Sequence, residues 1–222
     1  MRKVILFDID YTLFNAQNYR NTFLTALQKE IGISDSESFL QIADAAYIES
    51  RDAVGIFDPK AFLSVLEKKL GQKLDISKLE KIILNEEVFN SSLYEDTVEV
   101  VSELAKEKDI FLGIFSAGLL PIQRPKIKLL EPFLHAEHVH IFEFKKGKAL
   151  PELLKKYKDS KLFMVDDIAE ILYKAKQIND NITTILIRRK DHPQAYRQEL
   201  SGFSPDKTIT NLREIINIVE GK

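Results

Sequence analysis

With 222 residues, 45% of them apolar, the chain can build a sizeable buried core, as one domain or as a core with a smaller appendage. Its 32 basic residues nearly balance 34 acidic ones, and the net charge of −2 gives no support for a nucleic-acid partner; the absence of cysteine excludes disulfides, thiolate catalysis and Cys-based metal sites. No apolar run approaches the roughly 20 residues of a membrane span, MRKVILFDID is too short and too quickly acidic for a signal peptide, and the loops GxGxxG and GxxxxGK[ST] are missing. A soluble cytoplasmic protein with no membrane partner is expected.

KVILF (3–7) is an apolar run of strand length, suited to a strand buried on both faces. From 15 to 88 the apolar residues take helical spacing, in NYRNTFLTALQKEIG, SESFLQIADAAYIESRDA, DPKAFLSVLEKKLG and DISKLEKIILNEE. Ser36 and Asp58 are expected caps, and Gly32 and Gly71 expected stops. After Val88 strands and helices alternate: a helix over 97–109, strand 110–115, loop and helix through PIQRPKIKLLEPFL, and strand 138–142. A helix over 149–157 with Pro151 in its first turn, strand 161–165, helix 169–177, strand 183–187 and helix 210–219 complete the chain. This pattern predicts an α/β fold: an open parallel (Rossmann-like) sheet with helices on both faces, plus an inserted all-helical domain. The core would comprise 1–14 and 89–222, and the insertion 15–88.

Ligands of such sheets gather outside the carboxyl ends of the strands. There the first strand presents Asp8 and Asp10, with Thr12 two residues on; the second presents Ser116, Ala117 and Gly118. Lys145, Lys146 and Lys148 follow the third, and Asp166 and Asp167 the fourth, with Glu170 a turn later. Two converging carboxylate pairs repel unless a cation lies between them. An oxygen-rich site with few protein ligands suits Mg²⁺, which shares its remaining positions with water and phosphate oxygens. The hydroxyl, an ammonium and the Ala117 and Gly118 backbone N–H groups would hold those oxygens. The charge inventory therefore predicts phosphoryl transfer.

DxDxT (Asp8, Asp10, Thr12), Ser116, a lysine opening a helix and a paired acidic motif, in that order, resemble the haloacid dehalogenase superfamily of phosphohydrolases. The resemblance covers the whole chain, because the helical insertion looks like that family's cap. It implies Asp8 as nucleophile, forming an aspartyl-phosphate, and Asp10 as the acid that protonates the leaving oxygen and later activates water. Dehalogenating members lack an Asp at the second position, so Asp10 favours phosphate esters. Ser116 matches the phosphate-binding hydroxyl, and KGKAL matches the family's KGxxL, which points to Lys146 with Lys148 as runner-up. The metal would fall to Asp8, the Asp10 carbonyl, Asp167 and Asp166. Glu170 is one residue short of the family's further acid, and serves either beside the metal or as a helix N-terminal charge.

Asn15, Tyr19, Arg20 and Arg51 are candidate substrate contacts from the insertion, each with an ordinary helix-surface role as the plainer reading. His135, His138 and His140 show no ligand spacing and are expected to be structural. The sequence leads to a Mg²⁺-dependent phosphatase acting on a small phosphorylated metabolite, as monomer or homodimer. A phosphosugar mutase on the same core, or a non-catalytic phosphate-binding module, are the alternatives.

Overall fold

A computed structural model describes residues 2–51, 55–192 and 200–221. Strand β1 (Lys3–Phe7) is followed by helices α1 (Ala16–Ile31), α2 (Ser36–Ser50), α3 (Pro59–Leu70), α4 (Ile76–Ile83) and α5 (Glu86–Asn90). Next come α6 (Thr97–Leu104), β2 (Ile110–Ala117), α7 (Leu120–Lys126) and β3 (Val139–Phe142). Then α8 (Leu150–Lys156), β4 (Lys161–Asp166), α9 (Ala169–Ile178), β5 (Thr183–Ile187), β6 (Lys207–Ile209) and α10 (Glu214–Glu220) complete the order.

The strands form one parallel sheet in the order β3-β2-β1-β4-β5-β6. β1 is central, with Phe7 opposite Ile114 on one side and Val165 on the other. Its continuous apolar run follows from burial on both faces. Val4 and Leu6 join the core with Leu150 and Leu154 of α8 and Leu172 of α9, while Ile5 and Phe7 join Val100 and Leu104 of α6 and Ile215 of α10. Chain order reverses direction across β1, so the crevice at its carboxyl end is where this sheet can receive a ligand.

β2 runs through a tight passage. A Cβ on Gly113 would lie 2.3 Å from the His138 carbonyl oxygen and 2.5 Å from its Cβ, so the crowding involves backbone that cannot swing away. Gly113→Ala is expected to cost about 1–3 kcal/mol, read as a lower urea midpoint with unchanged m-value.

The five helices after β1 pack as a unit, α2 on α3, α3 on α4, and α1 on α2, α4 and α5. Asp35, Asp58 and Asn85 each accept two backbone N–H groups at the starts of α2, α3 and α5. The cap of α2 is thus Asp35 rather than Ser36, because the extended Asp35 carboxylate reaches both Glu37 and Ser38. Gly32 and Gly71 end α1 and α3 as expected; residues 52–53 of the second anticipated helix lie outside the described residues. The unit connects to the sheet through two segments side by side: Phe14 and Leu93 form an antiparallel bridge, Asn15 N donates to Ser92 O, and Tyr94 N donates to Leu13 O.

Other boundaries shift. The helix expected over 97–109 ends at Leu104, and α10 begins at Glu214 after a turn in which Glu214 Oε1 accepts from Thr210 and Asn211 N–H. The edge strand β6 was not expected from the sequence, since its three residues are too few to show alternation.

At the other sheet edge, Arg2 donates to His138 Nε2 at 2.6 Å. His138 Nδ1 therefore carries the proton it shares with the Tyr157 hydroxyl (2.9 Å), which in turn donates to His140 Nε2 (2.8 Å). Burial, with neighbouring cations, lowers both imidazole pKa values to about 4. The unfolded chain binds these protons at ordinary pKa, so their contribution to stability is intact above about pH 6.5 and is lost as pH falls toward 4. Heteronuclear NMR should show both rings neutral at pH 5.5; titration near 6.5 would contradict the network.

Candidate active site

Asp8 leaves the end of β1, its N–H bonded to Val165 O at 2.9 Å, and its carboxylate is buried. The chain then turns sharply: Ile9 O accepts from the N–H of Thr12, Leu13 and Phe14, and Tyr11 takes a left-handed φ of 56°. Such a conformation is sparsely populated away from glycine and clusters at functional turns. It carries Asp10 around the β1 end, while Thr12 stays fully buried.

Asp166 and Asp167 stand at the end of β4, beside β1. One carboxylate oxygen from each of Asp8, Asp166 and Asp167 lies within 4.8 Å of the others, and all three residues are buried. Of the three clustered lysines, Lys145 and Lys148 are exposed, whereas Lys146 is buried in the turn before α8. Its Nζ is 2.6 Å from Asp8 Oδ1 and 2.6 Å from Asp166 Oδ2. Burial disfavours the ammonium, but Asp166, Asp8 and Asp167 outweigh it and raise its pKa. Burial raises the pKa of both Asp166 and Asp167, and the Asp8 charge adds to it against the opposing pull of Lys146. Three carboxylates facing one ammonium leave negative charge uncompensated. A hard divalent cation fits this all-oxygen donor set.

Ser116 is buried at the penultimate position of β2, opposite Ile141 of β3, on the side of β1 away from the Asp166–Asp167 pair. Ala117 ends the strand. Gly118 departs from expectation: its N–H donates to Phe142 O at 2.9 Å, so the β2–β3 ladder uses the amide assigned to a phosphate cradle. Glu170 is exposed on α9 and pairs with Lys174 one turn on, a helix-surface role.

The four insertion residues are engaged within the helical unit. Asn15 Oδ1 caps α1 through Asn18 N (2.7 Å). Tyr19 is buried, donates its hydroxyl to Ile83 O (2.8 Å) and stacks on Phe89, so its phenol faces the helical core. Arg20 pairs with Asp44, and Arg51 Nε donates to Gly55 O (2.7 Å), both guanidinium groups lying against the Tyr47 ring. Among the described residues, the Arg20 Nε is buried with no hydrogen-bond partner.

The structure also brings in residues that the sequence reading passed over. Lys126 Nζ lies 2.6 and 2.8 Å from the two Asp10 oxygens, and Gln123 Nε2 lies 3.0 Å from Asp10 Oδ2. His192 Nε2 is 2.6 Å from Asp167 Oδ2, and Arg188 donates to Asp167 O at 2.9 Å. Arg189 holds Asp96 through two bonds of 2.7 and 2.9 Å and reaches Thr12 O at 2.8 Å. Their signals were present: Gln123 and Lys126 share the stripe of Ile122 and Ile127, and RRKDH stands at a fifth strand end.

No protein-family model matches the chain, and no curated protein matches it. Among solved structures, it is similar to a putative haloacid dehalogenase-like hydrolase from Burkholderia xenovorans: TM-score 0.71, 19% identity, 96% of this chain and 97% of the other. It is also similar to a putative hydrolase of this type from Bacillus subtilis, solved with magnesium bound: TM-score 0.67, 16% identity, 98% of each chain. The L-2-haloacid dehalogenase of Xanthobacter autotrophicus, with chloropropionic acid covalently bound, gives TM-score 0.65 at 18% identity over 100% of this chain and 99% of the other. The chain has the haloacid dehalogenase-like hydrolase fold, with a Rossmann-like parallel sheet. Among the described residues, no helix is long and apolar enough to cross a membrane.

Proposed function

We propose that this protein is a Mg²⁺-dependent phosphatase acting on a small phosphorylated metabolite, with residues 15–88 as a cap over the site. The observation that carries the reading is the buried Lys146 ammonium bridging Asp8 and Asp166 at 2.6 Å inside a carboxylate triad. Asp8, Asp166 and Asp167, with the Asp10 carbonyl, would hold the cation, which when bound supplies the positive charge that lets the carboxylates and a phosphate share the site.

The chain's own residues then divide the work. An Asp8 oxygen attacks phosphorus as the ester P–O bond breaks, and Asp10 delivers a proton to the departing oxygen. Lys146 and Ser116 balance and orient the phosphoryl oxygens throughout. A water attacks the aspartyl-phosphate, its proton passing to Asp10, and the Asp8–phosphorus bond breaks to free inorganic phosphate. Asp10 is what favours phosphate esters over carbon–halogen substrates, since halide departs without a proton.

The test is phosphate release from p-nitrophenyl phosphate and a panel of metabolite phosphoesters, with Mg²⁺ or EDTA, beside chloride release from 2-chloropropionate. Metal-dependent phosphate release without chloride release supports the proposal. Chloride release alone moves the protein to the dehalogenases, and a sugar-phosphate isomer in place of free phosphate makes it a mutase.

A further inference from the structure

We infer that Lys126, assisted by Gln123, is a positioning residue for the Asp10 carboxylate; this rests on the phosphatase reading, in which Asp10 carries the proton. Lys126 sits in the last turn of α7 and is only 6% exposed, while its partner Asp10 is not part of a strand. Asp10 precedes the left-handed Tyr11 and is held at the backbone by an isolated bridge to Phe14, which leaves its side chain to be oriented by other groups. The ammonium spans both carboxylate oxygens, and its nitrogen lies 5.0 Å from the centre of the Phe14 ring. A buried ammonium is tolerated only with such partners.

Gln123, one turn earlier on the same helix face, completes the clamp. Its amide nitrogen donates to Asp10 Oδ2 at 3.0 Å and to Ala117 O at 2.8 Å, tying the carboxylate to the end of β2, where Ser116 lies. Gly118 makes room for this link: a Cβ there would fall 2.4 Å from the Gln123 Nε2 and 2.7 Å from its Cγ, and its φ is +150°. The glycine two residues beyond Ser116 thus leaves space for Gln123, while its amide is committed to Phe142. Three donor contacts on two oxygens set the direction in which Asp10 faces a departing oxygen.

The experiment compares wild type, Lys126→Met and Lys126→Arg with Mg²⁺ on p-nitrophenyl phosphate and on an alkyl phosphate, whose leaving oxygen depends far more on a proton. Lys126→Met is expected to keep KM within about twofold and to lower kcat roughly 10- to 100-fold on the alkyl ester, with a smaller loss on the aryl ester and partial recovery in Lys126→Arg. In an Asp10→Asn background, Lys126→Met should add little, because the two residues act as a unit. Wild-type kcat on both esters, or a full additional loss in the Asp10→Asn background, would overturn the inference. An inactive wild type would instead sink the phosphatase reading itself. If Lys126→Met fails to fold, the Arg variant decides alone: loss equal on both esters counts against positioning, and selective loss on the alkyl ester counts for it.

Discussion

Asp8→Asn is expected to reduce Mg²⁺-dependent phosphate release by roughly 10⁴-fold or more, because it removes the nucleophile and leaves no covalent route. The amide has nearly the same shape, so the loss would not arise from a cavity. One negative charge also leaves a cluster in which Asp166 and Asp167 already have raised pKa values, with Asp8 among the causes. The metal-free variant should therefore melt no lower than wild type, although Lys146 loses one of its two carboxylate partners. Phosphate assays and melting curves on the same preparations check both parts. Appreciable turnover in Asp8→Asn would end the nucleophile assignment, and a collapse in melting temperature would make lost activity uninformative about chemistry.

Arg189→Leu is expected to be the most destabilising of the substitutions considered, by about 3–5 kcal/mol, because it strands a buried carboxylate. Asp96 is 1% exposed; among the described residues its other hydrogen bond, beside the two guanidinium bonds, comes from the Leu212 N–H at 2.8 Å. The same guanidinium supports the Thr12 carbonyl and lies 4.0 Å over the Tyr94 ring, so one side chain ties the turn after β1, the start of α6 and the segment after β5. For a chain of this size the loss corresponds to a melting temperature lower by roughly 6–20 °C. Urea unfolding of Arg189→Leu, Asp96→Leu and the double variant measures it. Removing both charges should recover much of the loss, since a buried pair mainly penalises whichever partner is left alone; a single-variant cost under about 1 kcal/mol would refute the account.

How far the sequence could be read depended on how local the information was. KVILF, IFLGIF, KLFMV and TTILI announce strands because burial on two faces leaves a continuous apolar stretch, with polar residues only at the start of a run, and each lies within a strand of the structure. KTI does not, being a short edge strand with only Ile209 buried. The fold class was legible from the alternation of elements, and the acidic pairs stood out because carboxylates at the ends of apolar strands conflict with burial. Lys126 and Asp10 are 116 positions apart, and nothing in either segment alone proclaims the pair. Tyr19 and Arg20 were ambiguous for the opposite reason: a polar group in an amphipathic helix looks the same whether it meets a ligand, a carbonyl or a neighbouring acid. The choice among Lys145, Lys146 and Lys148 likewise needed the turn before α8, which buries only the middle one.

The bridge between Phe14 and Leu93 has a consequence for how such a protein can change over evolutionary time. Because the chain leaves and re-enters the sheet at adjoining positions, everything between can be lengthened, shortened or exchanged without altering the register of β1 against β2 and β4. A lineage could thus swap the inserted helices while inheriting the carboxylates unchanged. The scaffold behaves as a socket, and the helices it carries as an interchangeable fitting.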